Sequence, residues 1–215
     1  LWIFLASAVV LLVGGAVMGA GGNLFDYNPK YTGYVRAEFK GAGDSGPLTD
    51  TLMNAMMRRG AKVYSKCAGC HQASGSGAPG VAPPLAGAEW VTGNNEKLAM
   101  IILNGLQGPI DVKGQTWTLN MPAQMPIDKV ELAAVMTYIR NSFGNETGDV
   151  VTPEQAAAAI ELSKERAGGA PLGPQTTAAE LMEKHDRMLA GEPLDPNTIV
   201  DVETLEPAGD AAGAE

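Results

Sequence analysis

Cys67-Ala68-Gly69-Cys70-His71 concentrates the chemistry of this chain, holding both of its cysteines and one of its two histidines among 215 residues. Cys-x-x-Cys-His is the attachment pattern of c-type haem, in which two thiolates add to vinyl groups as thioethers and the adjacent imidazole reaches the iron. The two intervening residues span the separation of the vinyls, and a His directly after the second Cys brings its ring under the metal. Other chemistries fit less well. A zinc site takes four N/S ligands, whereas the only other histidine, His185, lies more than a hundred residues away. A thioredoxin-like redox pair sits in a βαβ setting, which the Gly/Pro-rich stretch after His71 does not supply. A disulfide across two residues would close a tight, strained loop with little effect on the entropy of the unfolded chain.

An iron held on both faces needs a second axial ligand. His185 lies in an acidic tail, so the natural candidates are the thioethers of Met121-Pro122 and Met125-Pro126, between a loop and a strongly amphipathic helix. A thioether is a soft ligand that favours ferrous iron and raises the reduction potential. With ten Met in the chain, any single one is more often core filler than ligand, and position must decide.

The elements around these residues are helical. From Thr49 the residues Leu52, Ala55, Met56, Val63 and Tyr64 recur on one face up to Cys67, with Thr49 or Asp50 as the cap. Ser74–Gly80 reads as loop, and Pro83-Pro84-Leu85 stiffens the return towards the motif. Glu96–Asn104 reads as a short helix ended by Gly105, and Gly105–Asn120 as loop. Asp128–Ser142 is an amphipathic helix with Val130, Ala133, Ala134, Thr137, Tyr138 and Phe143 on a broad side, ended by Gly144. Three helices with long loops make a small core, to which a haem adds much of the buried apolar surface.

The two ends differ in kind. Leu1–Phe25 carries no charge, and Leu1–Gly22 is apolar or small apart from Ser7. At ~1.5 Å per residue it spans about 33 Å, enough to cross a hydrocarbon core of roughly 30 Å. We expect a retained single-pass anchor over residues 1–25, preceded by a short missing piece. The competing reading is a signal peptide with Met18-Gly19-Ala20 as a loose cleavage site. Residues 26–48 have no helical or strand period and form an expected extended connector, whose aromatics Tyr27, Tyr31, Tyr34 and Phe39 suit an interface or another surface.

The net charge of −9 resides in the tail: residues 1–145 hold 11 Lys/Arg against 9 Asp/Glu, and residues 146–215 hold 4 against 15. No segment makes a sustained basic stripe, so no nucleic-acid role is expected. Arg58, Arg59, Lys62 and Lys66 cluster before the motif, either as a solvated face or as a rim for an acidic redox partner. In the tail, Thr152-Pro153-Glu154-Gln155 starts a helix expected to reach about Ala167. A second is expected from about Thr177 to Ala190, with His185 as a surface or helix-face residue. So acidic a segment, rich in Ala, Gly and Pro, buries too little apolar surface to order itself. We therefore expect residues 150–215 to lie mainly on other chains, with the side carrying Leu181 and Leu189 turned to them.

The succession of a helix, CAGCH, Pro-Pro-Leu, a short helix, LNGLQGPI (103–110), a Met-Pro step and LAAVMTYIRNSFGN (132–145) resembles a class I c-type cytochrome domain. It is similar in particular to the monohaem domains of bacterial oxidases, membrane dehydrogenases and related respiratory complexes. The resemblance covers Thr49–Asn145. It implies that the ligand Met opens the Met-Pro step about eleven residues before Leu132-Ala133, which selects Met121 over Met125. It also implies that the Pro83 carbonyl accepts a hydrogen bond from His71 Nδ1. Gly60 and Tyr64 would pack across Tyr138, and Trp117 would lie near a haem propionate or else pack as plain core.

The expected protein is thus all-α: an N-terminal transmembrane helix (1–25), a connector (26–48), a class I cytochrome c domain around one covalent haem c (49–145) and an acidic extension with two short helices (146–215). Cys67, Cys70, His71, Pro83, Trp117 and Met121 are its cofactor-binding residues, with His71 and Met121 on the iron. The resemblance implies a haem domain on the periplasmic side of a bacterial cytoplasmic membrane. There it would pass single electrons as a subunit of a respiratory or photosynthetic electron-transfer complex, in contact with lipid, with other subunits and with donor and acceptor proteins. A free-standing tethered shuttle is the alternative. A haem enzyme with a labile sixth ligand is a further one; with both axial positions filled, a non-catalytic carrier is the expectation.

Overall fold

The computed structural model describes residues 48–208 apart from Leu119 and Pro171. The expected anchor over 1–25, and the connector apart from Leu48, lie outside the described residues. Among the described residues no helix is long and apolar enough to cross a membrane.

Strand β1 (Thr49–Thr51) runs directly into α1 (Leu52–Tyr64), where Thr51, rather than Thr49 or Asp50, accepts from Asn54 N at 3.2 Å as the cap. Leu52, Ala55, Met56, Gly60 and Tyr64 make its buried face, and this face meets α5 (Lys129–Arg140) in the main helix–helix contact of the fold. A Cβ on Gly60 would lie 2.2 Å from Ala134 O and 2.4 Å from Tyr138 Cβ, so only glycine permits this approach. Asp128 caps α5 by accepting from Val130 N and Glu131 N at 2.7 and 2.8 Å. Between them lie two single turns, α2 (Ala68–His71) and α3 (Glu89–Thr92), and helix α4 (Asn95–Asn104), which is buried on every side and ends at Gly105 with φ +75°.

Two expectations are corrected. The stretch 105–120 is not all loop: β2 (Pro109–Val112) and β3 (Gln115–Thr118) form an antiparallel hairpin. Its two-residue turn, Lys113-Gly114, has positive φ at both positions, the geometry that matches strand twist. The domain is therefore helical with two small antiparallel sheets rather than all-α, the second sheet pairing β1 with β4 (Ile199–Asp201).

The second correction concerns the acidic extension, whose described part packs on its own haem domain. Helix α6 (Pro153–Arg166) starts with the expected Thr152/Gln155 capping box and packs on α5 and α4 through Ala156 and Ala159, both fully buried. Helix α7 (Ala178–Lys184) is shorter than expected and sets the fully buried Leu181 against α4. Beyond it, the chain straps across the N-terminus of α4: Glu96 N donates to Arg187 O at 3.2 Å and Leu189 N to Asn95 Oδ1 at 2.7 Å. His185 is buried, not a surface residue, its Nδ1 lying 2.8 Å from Glu96 Oε1. The composition argument fails because a subset of the extension's apolar residues, Val150, Val151, Ala156, Ala159, Leu181, Leu189 and Val200, is buried, although Leu172, Met182, Met188, Leu194 and Ile199 stay exposed, and because several of its acids find cations of the same chain. Arg140 holds Asp149 at 2.8 Å, and Lys97 holds Asp186 at 2.7 Å.

Candidate haem site

The motif is set by the end of α1. Cys67 N donates to Tyr64 O at 2.8 Å and His71 N to Cys67 O at 3.0 Å, coiling CAGCH into α2 directly beneath the long helix. Tyr64 closes the corner from inside: its hydroxyl donates to Gln72 O at 2.6 Å. Its ring packs with Tyr138 and Phe143 at centroid separations of 5.4 and 5.1 Å. Burial, with the neighbouring Cys67 and Tyr138, pushes the Tyr64 hydroxyl up to about 12, so it stays a neutral donor.

His71 is buried, and its Nδ1 lies 3.0 Å from Pro83 O. A carbonyl only accepts, so Nδ1 carries the proton and Nε2 keeps the lone pair that a metal takes. Burial lowers the affinity of the ring for a second proton, and the Pro83 bond opposes this only in part. Burial likewise pushes the Cys67 thiol up against the lowering field of Lys66.

These groups border a cavity of about 360 Å³, within the roughly 300–1,000 Å³ of cofactor pockets. Leu98, Ile102, Val135 and Ile139 from α4 and α5 supply apolar wall, and the hairpin adds Ile110 and Val112. Cys67, Cys70, His71, Pro83, Trp117 and Met121 all line it, and so does Met125. Met121 is pinned at the backbone: Leu106 N donates to its carbonyl and its own N–H to Leu106 O, both at 2.9 Å. Trp117, paired with Ile110 across the hairpin, has a buried Nε1 with no hydrogen-bond partner among the described residues.

That orphaned donor tests whether the residues fit a haem. A buried N–H left unpaired costs about 1–3 kcal/mol, so an apolar cavity bordered by two free thiols, a neutral imidazole, a thioether and one unpaired donor matches a flat apolar ring with acidic substituents. The residues fit the group. The hairpin wall stands where loop is expected from sequence; its signal is the alternation of Ile110 and Val112 before Lys113-Gly114. The basic cluster before the motif is partly consumed within the chain: Arg58 pairs with Asp50, Arg59 donates to the carbonyls of Val202 and Glu203, and Lys66 lies 3.8 Å from Glu131.

Motif, cavity and donor set define a c-type haem protein. The cytochrome c family model matches residues 57–143. Two relatives, both named cytochrome c-552 and both from Thermus thermophilus, are each 44% identical over 90 residues. The shared stretch is 40% of this chain, 69% of the first relative and 61% of the second. The chain belongs to the cytochrome c family. It carries covalently attached haem c and acts in haem-mediated electron transfer.

Proposed function

We propose that the protein is a membrane-anchored monohaem electron carrier in which Cys67 and Cys70 would hold the cofactor and His71 Nε2 and Met121 Sδ would bind its iron. The observation that carries this reading is the convergence on one apolar cavity of both cysteines, a histidine oriented by Pro83, and a methionine whose backbone is fixed on both sides by Leu106. Haem c bound here supplies a one-electron ferric/ferrous couple. His71 and Met121 would hold the iron between them, which would leave substrate no place on the metal, and the walls of α4, α5 and the hairpin exclude water. Trp117 Nε1 would offer its proton to an acidic substituent of the bound group. Pro83 holds the His71 proton at Nδ1.

The uncharged stretch Leu1–Phe25 supports a membrane anchor; placing the haem domain on the periplasmic side of a bacterial cytoplasmic membrane, as part of a respiratory or photosynthetic complex, follows from the resemblance to c-type cytochrome domains. A second reading, a tethered shuttle between complexes, is favoured by the packing of the extension on its own domain. Co-purification in mild detergent separates the two: stoichiometric partners support the subunit, an isolated chain the shuttle.

The ligation test compares Met121→His with Met125→Ala. The ferric sulfur-to-iron charge-transfer band is expected to vanish in the first and persist in the second. The potential of Met121→His is expected to fall by an amount on the order of hundreds of millivolts, within the ~0.8 V that axial ligands span. The opposite pattern transfers the assignment to Met125. In a parallel arm, removing residues 1–25 is expected to release a soluble chain that still carries haem; a truncated chain that stays in the membrane fraction refutes the single anchor.

A further inference from the structure

Four contacts converge on the loop that carries Met121, two of them made by the C-terminal extension. Gln175 Nε2 donates to the Met121 carbonyl at 2.7 Å and also to Asn120 Oδ1. Thr176, fully buried, forms a parallel bridge with Leu106: Gln107 N donates to Thr176 O at 2.9 Å and Thr176 N to Gly105 O at 3.2 Å. Leu106 is the residue whose N–H and carbonyl pair with Met121. A Cβ on Gly105 would lie 2.4 Å from Met121 O, so the two backbones are already as close as they can come.

The clamp is itself anchored. Arg166, in the last turn of α6, binds Glu180 with both arms at 2.7 Å and donates to the carbonyls of Pro174 and Gln175. Glu180 lies below the usual carboxylate range because of the Arg166 hydrogen bonds, so the pair stays ionised. The path runs from the buried face of α6 through Arg166 to residues 174–176, and from there to both strands of the Met121–Leu106 pair.

We infer that Gln175 and Thr176 are positioning residues for Met121, so that the extension sets how readily the distal thioether leaves the iron. This rests on the reading of Met121 as the ligand. The contact acts through the backbone: the Met121 carbonyl accepts from Leu106 on one side and Gln175 on the other, which fixes the Cα–Cβ direction and hence where Sδ can go. Without Gln175 the carbonyl keeps one partner, and the loop can swing about the Leu106 pairing.

The experiment uses the full-length haem-loaded protein and the variants Gln175→Leu, which keeps bulk and removes the donor, and Gln175→Lys, which restores a donor. Imidazole is the probe, and it binds iron only when Met121 leaves. One net hydrogen bond corresponds to roughly a five- to tenfold change in the population of the detached state, so Gln175→Leu is expected to bind imidazole about that much more tightly. Its charge-transfer band should bleach at a lower temperature than far-UV unfolding. Gln175→Lys should return both towards wild type. Imidazole affinity within twofold of wild type in Gln175→Leu overturns the inference. So does a band that bleaches only together with global unfolding, because the extension is then a general stabiliser. Failure of the ligand reading itself shows separately, as a band retained in Met121→His.

Discussion

Replacing Asp149 by Ala breaks the junction between the haem domain and its extension, and the structure fixes the size and pH dependence of the effect. Arg140 is buried to 3% exposure at the end of α5. One guanidinium nitrogen, Nη1, donates to Val91 O and Gly93 O, both at 2.7 Å, while Nε and Nη2 bind the Asp149 carboxylate at 3.1 and 2.8 Å. Removing one partner of a buried pair costs about 3–5 kcal/mol, because the remaining charge is stranded. Asp149 retains 32% side-chain exposure and Arg140 keeps two carbonyls, so about 3 kcal/mol is the reasonable loss. For a chain of this size that corresponds to a fall in Tm of roughly 6–12 °C.

Burial pushes the Asp149 carboxyl up, but hydrogen bonds from Arg140 and Thr147 and the Arg140 charge outweigh it and hold it below the usual carboxylate range. A depressed folded value contributes stability that is complete above the unfolded value near ~4 and is lost as pH falls through the folded one. The gap in Tm between wild type and Asp149→Ala should therefore be constant from neutrality to about pH 5 and close below about pH 4. Thermal melts across pH, followed by far-UV dichroism and haem absorbance together, make the assay. The double variant Arg140→Met/Asp149→Leu, which removes both charges, should recover much of the loss. A Tm within a degree of wild type at neutral pH, or a gap that persists unchanged in acid, refutes the reasoning.

Gly60→Ala should lower Tm: a Cβ 2.2 Å from the Ala134 carbonyl forces α1 and α5 apart, and overpacking of about 1–3 kcal/mol exceeds the ~1 kcal/mol of helix propensity gained. A more stable Gly60→Ala protein would show that the helices do not approach so closely. Trp117→Phe removes the unpaired Nε1 donor. If that donor meets a propionate, its loss favours ferric iron and lowers the midpoint potential by roughly tens of millivolts, against about 59 mV per tenfold change in a one-electron equilibrium; an unchanged potential returns Trp117 to plain packing.

What was legible in the sequence was what local chemistry decides. The Thr152-Pro153-x-Gln155 signal placed the start of α6 because each of its atoms is used within one turn. Gly105 ended α4 because no other residue type takes its φ cheaply. The CAGCH spacing was readable because attachment chemistry dictates it. The hairpin at 109–118 is hidden in the sequence by the glycines around it, which read equally as loop formers, whereas Lys113-Gly114 is a turn with strands on either side. Helix α7 stops at Lys184 rather than reaching the expected Ala190, because residues 185–189 are drawn onto the N-terminus of α4 by bonds to Asn95 and Glu96. No local signal carries that information, because the partners lie about ninety residues away.

The extension shows why composition misleads where pattern does not. Four Lys/Arg against fifteen Asp/Glu imply disorder when averaged over seventy residues, yet ordering depends on where the few apolar residues fall. Val150, Val151, Ala156, Ala159, Leu181, Leu189 and Val200 are all buried, and most lie against helices that the haem domain would otherwise leave uncovered. This is why α4 has no exposed face: Lys97 and Glu96, polar residues of a short helix, are enclosed by Asp186, His185 and Arg187 of the strap. A haem domain ending at Asn145 would expose that helix and strand Arg140, so the described part of the extension packs with residues 49–145 as one compact unit. The same packing brings Gln175 and Thr176 against the Met121 loop, so that on the proposed ligation the extension would frame the redox site.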